Sequence, residues 1–104
     1  PSDIPALLMG DFNASPDSAC FRIITGKDRP GHLAGPFFNA VFRPPYPGTH
    51  HSFTGESDGG HIDWILYRGG LKPESREVCR YKISGGYPSD HFPICAEFSW
   101  INHE

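Results

Sequence analysis

HIDWILY, residues 61–67, is the run on which the fold turns. Its residues alternate polar and apolar as a half-buried strand does, with His61, Asp63, Ile65 and Tyr67 on one side and Ile62, Trp64 and Leu66 on the other. Asp63 is the anomaly. Aspartate is disfavoured in strands, and a carboxylate set between Ile62 and Trp64 costs free energy unless a cation or donor pairs with it. A purely structural pair with Arg68 or Arg80 is one solution, and an imidazole is another.

Working outward from this strand, Thr49 to Phe53 reads as an extended partner, and the turn-rich TGESDGG between them suggests a hairpin. Towards the N-terminus, Ile4 to Met9 is a short apolar run closed by Gly10, the pattern of an interior strand. Ser15 or Asp17 can cap a short helix from about Ser18 to Thr25, with Cys20, Phe21 and Ile24 inward and Gly26 as its stop. Lys27 to Gly48 is rich in Gly and Pro and reads as surface loop, apart from a short ordered element within Phe37 to Phe42. Glu77 to Ile83 gives a weaker strand and His91 to Trp100 a stronger one. The expected class is α+β, dominated by strands in a mixed or antiparallel sheet with few helices.

The chain has 104 residues, the size of one small domain, and 38% hydrophobic and 13% aromatic residues suffice for a core. Twelve acidic against nine basic residues give a net charge of -3, so the chain lacks the broad positive field of a sequence-indifferent nucleic-acid binder; a nucleic-acid substrate stays open but is not indicated by charge. The three cysteines, Cys20, Cys79 and Cys95, are widely spaced with no CxxC pair, and read as small core hydrophobes. No apolar run approaches membrane-spanning length, so a soluble, cytoplasmic protein is expected.

Two further clusters join Asp63. In GDFN, Gly10 permits a sharp turn, and Asp11 and Asn13, two apart, can project the same way from a strand end. A carboxylate there can orient a water for attack on a phosphate while the amide donates to a phosphate oxygen or fixes the acid. In YPSDHFPICAEF, residues 87–98, His91 can donate to Asp63, which fixes its tautomer and leaves the other ring nitrogen to face a phosphate oxygen. Asp90 adds an oxygen ligand suited to magnesium. Taken singly, GDFN is equally an Asx turn, and Ser89 to His91 a polar loop before an edge strand. His50 and His51, being adjacent, point to opposite faces and do not readily share a transition metal, although His51 can reach the phosphate pocket as a secondary contact. Glu56 and Asp58 read as a solvated turn.

MGDFNASPDS, GGHIDWIL and YPSDHFPICAEF, in this order and at these separations, resemble the second half of the endonuclease/exonuclease/phosphatase superfamily, the DNase-I-like fold, from about Ile4 to Trp100. The resemblance implies a four-layer α/β sandwich and magnesium-dependent cleavage of phosphate esters, with manganese as a substitute metal. It implies Asp11 and Asn13 as the water-positioning acid and its amide partner, Asp63 as the residue that orients the histidine, His91 as the phosphate-contacting imidazole, and Asp90 near the metal. GTHHSFTGESDGGHIDWIL further resembles bacterial members of undefined substrate, in which the position of His61 is commonly Arg; His51 and His61 are therefore expected as substrate contacts.

In that family a metal-ligating Glu and an upstream Asn come from the first half of the domain. Residues 1–104 are accordingly expected to be one partial domain that begins upstream of Pro1, with an apolar sheet face that meets a missing N-terminal half or a second copy, as in a domain-swapped dimer. The function expected is the C-terminal catalytic portion of a metal-dependent phosphoesterase. The alternative is a non-catalytic module that binds a phosphorylated ligand or a partner protein with the same edge.

Overall fold

A computed structural model describes residues 4–27 and 37–101. Its elements run β1 (Ala6–Asp11), α1 (Ala19–Thr25), β2 (Asn39–Ala40), β3 (Asp63–Arg68), β4 (Leu71–Val78) and β5 (Ile94–Trp100). The fold is α+β: among the described residues there are one helix, a three-stranded antiparallel sheet in the order β1-β3-β2, and a two-stranded sheet of β4 and β5.

β3 is the centre because both of its faces are covered. Trp64 and Leu66 pack with Phe21 of α1, supported by Phe12, Leu8 and Phe38. Ile65, one residue out of phase, packs on the other side with Val41, Phe42 and the β4–β5 residues Val78, Ile94, Ala96 and Phe98. The layers are therefore helix, three-stranded sheet and two-stranded sheet, and the alternation of β3 assigns each apolar residue to its layer.

Ser18, rather than Ser15 or Asp17, caps α1: its side chain accepts from the Phe21 N–H, and the helix stops at left-handed Gly26 with φ 69°. Ser15 and Asp17 are held in the preceding turn, where the Ser15 carbonyl accepts from the Ser18 N–H and the Ser15 hydroxyl from the Asp17 N–H.

Four other expectations are corrected. β1 is an edge strand rather than an interior one, because the β4–β5 sheet covers β3 and leaves Leu7 and Met9 exposed. The hairpin between residues 49–53 and 61–67 does not form, since β3 pairs with β1 and β2, and Ser52 and Phe53 adopt φ of 52° and 66°, outside any strand. The strand placed at 77–83 lies earlier, as β4; its Pro73 is accommodated at a register shift in a ribbon of only two strands. Cys20 and Cys95 are exposed and Cys79 half-buried, all as free thiols. In α1 it is Phe21 and Ile24 that face inward, and in β5 the alternation sends Ile94, Ala96 and Phe98 to the core and Cys95 away from it. The loop expected at 27–48 falls partly, at 28–36, outside the described residues.

Candidate active site

β1 and β3 pair antiparallel so that Asp11 lies directly opposite Asp63. Two like charges in that position destabilise a sheet end unless something of opposite charge lies between them. His91 does so. Its Nδ1–H donates to Asp63 Oδ2 at 2.7 Å, while Nε2 stands 3.9 Å from Asp11 Oδ2 and 4.0 Å from Asp90 Oδ1. Since a carboxylate only accepts, the hydrogen bond to Asp63 fixes the proton on Nδ1 and presents Nε2 to the solvent side.

The backbone delivers His91 to this point. The chain before β5 forms an antiparallel bridge between His50 and His91, and the Ser89 hydroxyl accepts from the His91 N–H at 3.1 Å. Thr49, fully buried, ties the segments together. Its hydroxyl accepts from the N–H groups of Ile62 (3.0 Å) and Asp63 (3.2 Å), and its carbonyl accepts from the Phe92 N–H (2.7 Å). On the other flank the Phe12 N–H donates to the Ile62 carbonyl at 2.9 Å. One threonine thus fixes the positions of both the acid and the imidazole, a role that sequence reasoning missed because it had assigned Thr49 to a strand partner. Thr49→Val keeps the shape but strands two buried N–H groups, and should cost about 1–3 kcal/mol in denaturant unfolding; an unchanged midpoint would contradict this bonding pattern.

The side chains over the cavity are Asp11, Asp63, Ser89 and His91, above a floor of Trp64, Ile65 and Ile94, in a space of about 290 Å³. Asn13 is not part of this wall. It adopts a left-handed conformation with φ 50° and turns its backbone N–H onto Asp11 Oδ1 at 2.8 Å, so the Asx turn is real and holds the carboxylate while Oδ2 faces His91. Asp90 is half-exposed and lies 3.7 Å from His50 Nε2 as well as close to His91. Among the described residues two groups place their donor atoms close enough to share a cation: Asp11, Asp63 and His91, and His50, Asp90 and His91. As expected for neighbours, His50 and His51 face apart.

His51 and His61 are not at this cavity; both turn inward, with 4% and 6% of their surface exposed. The His61 Nδ1–H donates to the Pro47 carbonyl at 2.7 Å, and the ring stacks on Tyr46 and meets the edge of Phe42. Burial pushes its pKa below the ordinary histidine value, against smaller upward pulls from the Pro47 carbonyl and Asp63. His51 stacks on Phe92 with ring centres 4.1 Å apart and accepts the Gly55 N–H on Nδ1.

His91 titrates above the ordinary histidine range, first through the hydrogen bond to Asp63 and further through the charges of Asp63, Asp11 and Asp90, partly offset by desolvation. A raised folded-state pKa means that this pairing stabilises the fold fully below the unfolded value of about 6.5 and ceases to do so as pH rises through the folded value. Asp63→Asn should bring the His91 pKa down, as followed by imidazole NMR in metal-free buffer; an unmoved titration would show that the pairing is not what raises it.

Comparison with known proteins places the chain in a family. Among curated proteins nothing matches. The chain is similar to a solved structure described as a functionally unknown conserved protein from Enterococcus faecalis V583, with 29% identity and a TM-score of 0.69 over 92% of this chain and 36% of that one. The match to the Endonuclease/Exonuclease/phosphatase family extends over residues 1–91, which include Asp11, Asp63 and His91, and the chain belongs to that family.

Proposed function

We propose that this chain is the C-terminal catalytic portion of a divalent-metal-dependent phosphoesterase, acting on phosphodiester or phosphomonoester bonds. The observation that carries the reading is the imidazole of His91 held between Asp63 and Asp11 over an open cavity. A structural ion pair would have no need of the third carboxylate or of an unbonded Nε2 facing the opening.

The donor set fits magnesium. Asp11 and Asp90 are half-exposed carboxylates on either side of Nε2, and a hard cation that keeps most of its waters requires only one or two such ligands. When bound, magnesium supplies polarisation of the phosphoryl oxygens. Asp11 orients the attacking water and takes its proton as the oxygen–phosphorus bond forms and the ester P–O bond breaks. Asn13 holds Asp11 in place through its N–H and lies near enough in sequence for its amide to assist at the same turn. The Asp63–His91 pair presents an Nε2–H to a non-bridging oxygen, where charge accumulates in the transition state. Because that role needs the imidazolium, activity should fall as pH rises through the elevated His91 pKa.

The 36% coverage of the Enterococcus faecalis structure is consistent with further catalytic residues on a portion that precedes this one, docking against the exposed apolar side of β1. The test is hydrolysis of bis(4-nitrophenyl) phosphate by the full-length protein in a magnesium titration. Metal-dependent turnover is expected. Binding of phosphate with no turnover and no metal dependence would favour the non-catalytic module.

A further inference from the structure

Beside the catalytic cavity lies a second one of about 180 Å³, lined by His51, Tyr81, Tyr87, Phe92 and Cys79. The two share Ser89, His91, Phe92 and Pro93 among their lining residues, so the second space lies directly beside the one that His91 lines. The walls are preformed. Tyr87 meets His51 edge-on at 4.9 Å and Phe92 at 5.9 Å, while Arg80 and Lys82 cover Phe92 and Tyr87 at 5.3 and 5.7 Å.

Size narrows the occupant: a cavity of about 150 Å³ lined by apolar side chains accommodates benzene, so this one, lined by His51, Tyr81, Tyr87 and Phe92, suits a single ring.

We propose that this second cavity receives the organic part of the phosphate ester and that this part carries a single planar ring. The proposal rests on the phosphoesterase reading and deepens it. Aromatic walls favour a ring through stacked and edge-on contacts beyond what area alone provides.

Non-hydrolysable phosphonates test it by calorimetric titration of the full-length protein with magnesium. Phenylphosphonate should bind about tenfold or more tightly than methylphosphonate, and more tightly than butylphosphonate. The phenyl-to-methyl ratio should fall towards one in Tyr87→Ala and in Tyr81→Ala; Tyr81 is largely exposed, so its removal leaves the fold intact. Equal affinity for phenyl- and methylphosphonate, or for phenyl- and butylphosphonate, would overturn the ring site while leaving the phosphate site standing. Failure of all three to bind would remove the phosphoesterase reading and this inference together.

Discussion

His91→Ala should lower kcat of the full-length protein on a generic phosphodiester by about 10²–10⁴-fold, the range associated with loss of a positioned proton donor or charge-stabilising group. Among the described residues the imidazole lies within 4.0 Å of carboxylate oxygens of Asp11, Asp63 and Asp90, so its removal deletes the proposed donor to the phosphate and leaves the acids facing one another. Substrate affinity should change less than turnover, since the contact strengthens as charge develops on the phosphoryl oxygens. Circular dichroism should show the variant folded, because the segment's backbone bonds, from Ser89, Thr49 and His50, do not involve the ring. A folded His91→Ala protein with near-wild-type turnover would defeat the catalytic assignment.

The second large effect is on stability. Trp64 is 1% exposed, stacks on Phe12 with ring centres 4.3 Å apart, meets Phe21 edge-on at 4.9 Å, and donates its indole N–H to the His61 carbonyl at 3.1 Å. Trp64→Ala removes the larger of the two central-strand side chains packed on Phe21 of α1 and should cost about 3–5 kcal/mol, against a total of about 5–15 kcal/mol for a native domain. Chemical denaturation of the full-length protein should show the midpoint displaced accordingly. Trp64→Phe, which keeps a ring beside Phe12, should lose markedly less. Equal losses for the two would show that the stacked pair is not what holds the helix to the sheet.

The meeting of Asp63 and His91 was legible because its signals are local. A mid-strand aspartate with apolar neighbours demands a partner, and SDH at the entrance to an apolar strand offers one; neither inference needs tertiary knowledge. The strands β1, β3 and β5 were legible for the same reason, as apolar runs bounded by turn residues. β4 was not, since LKPESREV carries a proline and four charged residues and becomes a strand only by pairing with β5. The inward turn of His51 and His61 was not legible because burial of an imidazole depends on partners remote in sequence: the Pro47 carbonyl for His61, and the Phe92 ring for His51. Thr49 looked like any β-branched residue, and its bonds to Ile62, Asp63 and Phe92 exist only once the loop has closed.

Asp11 and Asp63 stand at the end of the three-stranded sheet, while Asp90 and His91 arrive on the chain entering the two-stranded one. The spacing between acid and imidazole is therefore a readout of how the layers are aligned, and any slippage of one over the other is registered there first. Heat or denaturant that shifts one layer over the other should therefore extinguish the proposed turnover in advance of global melting.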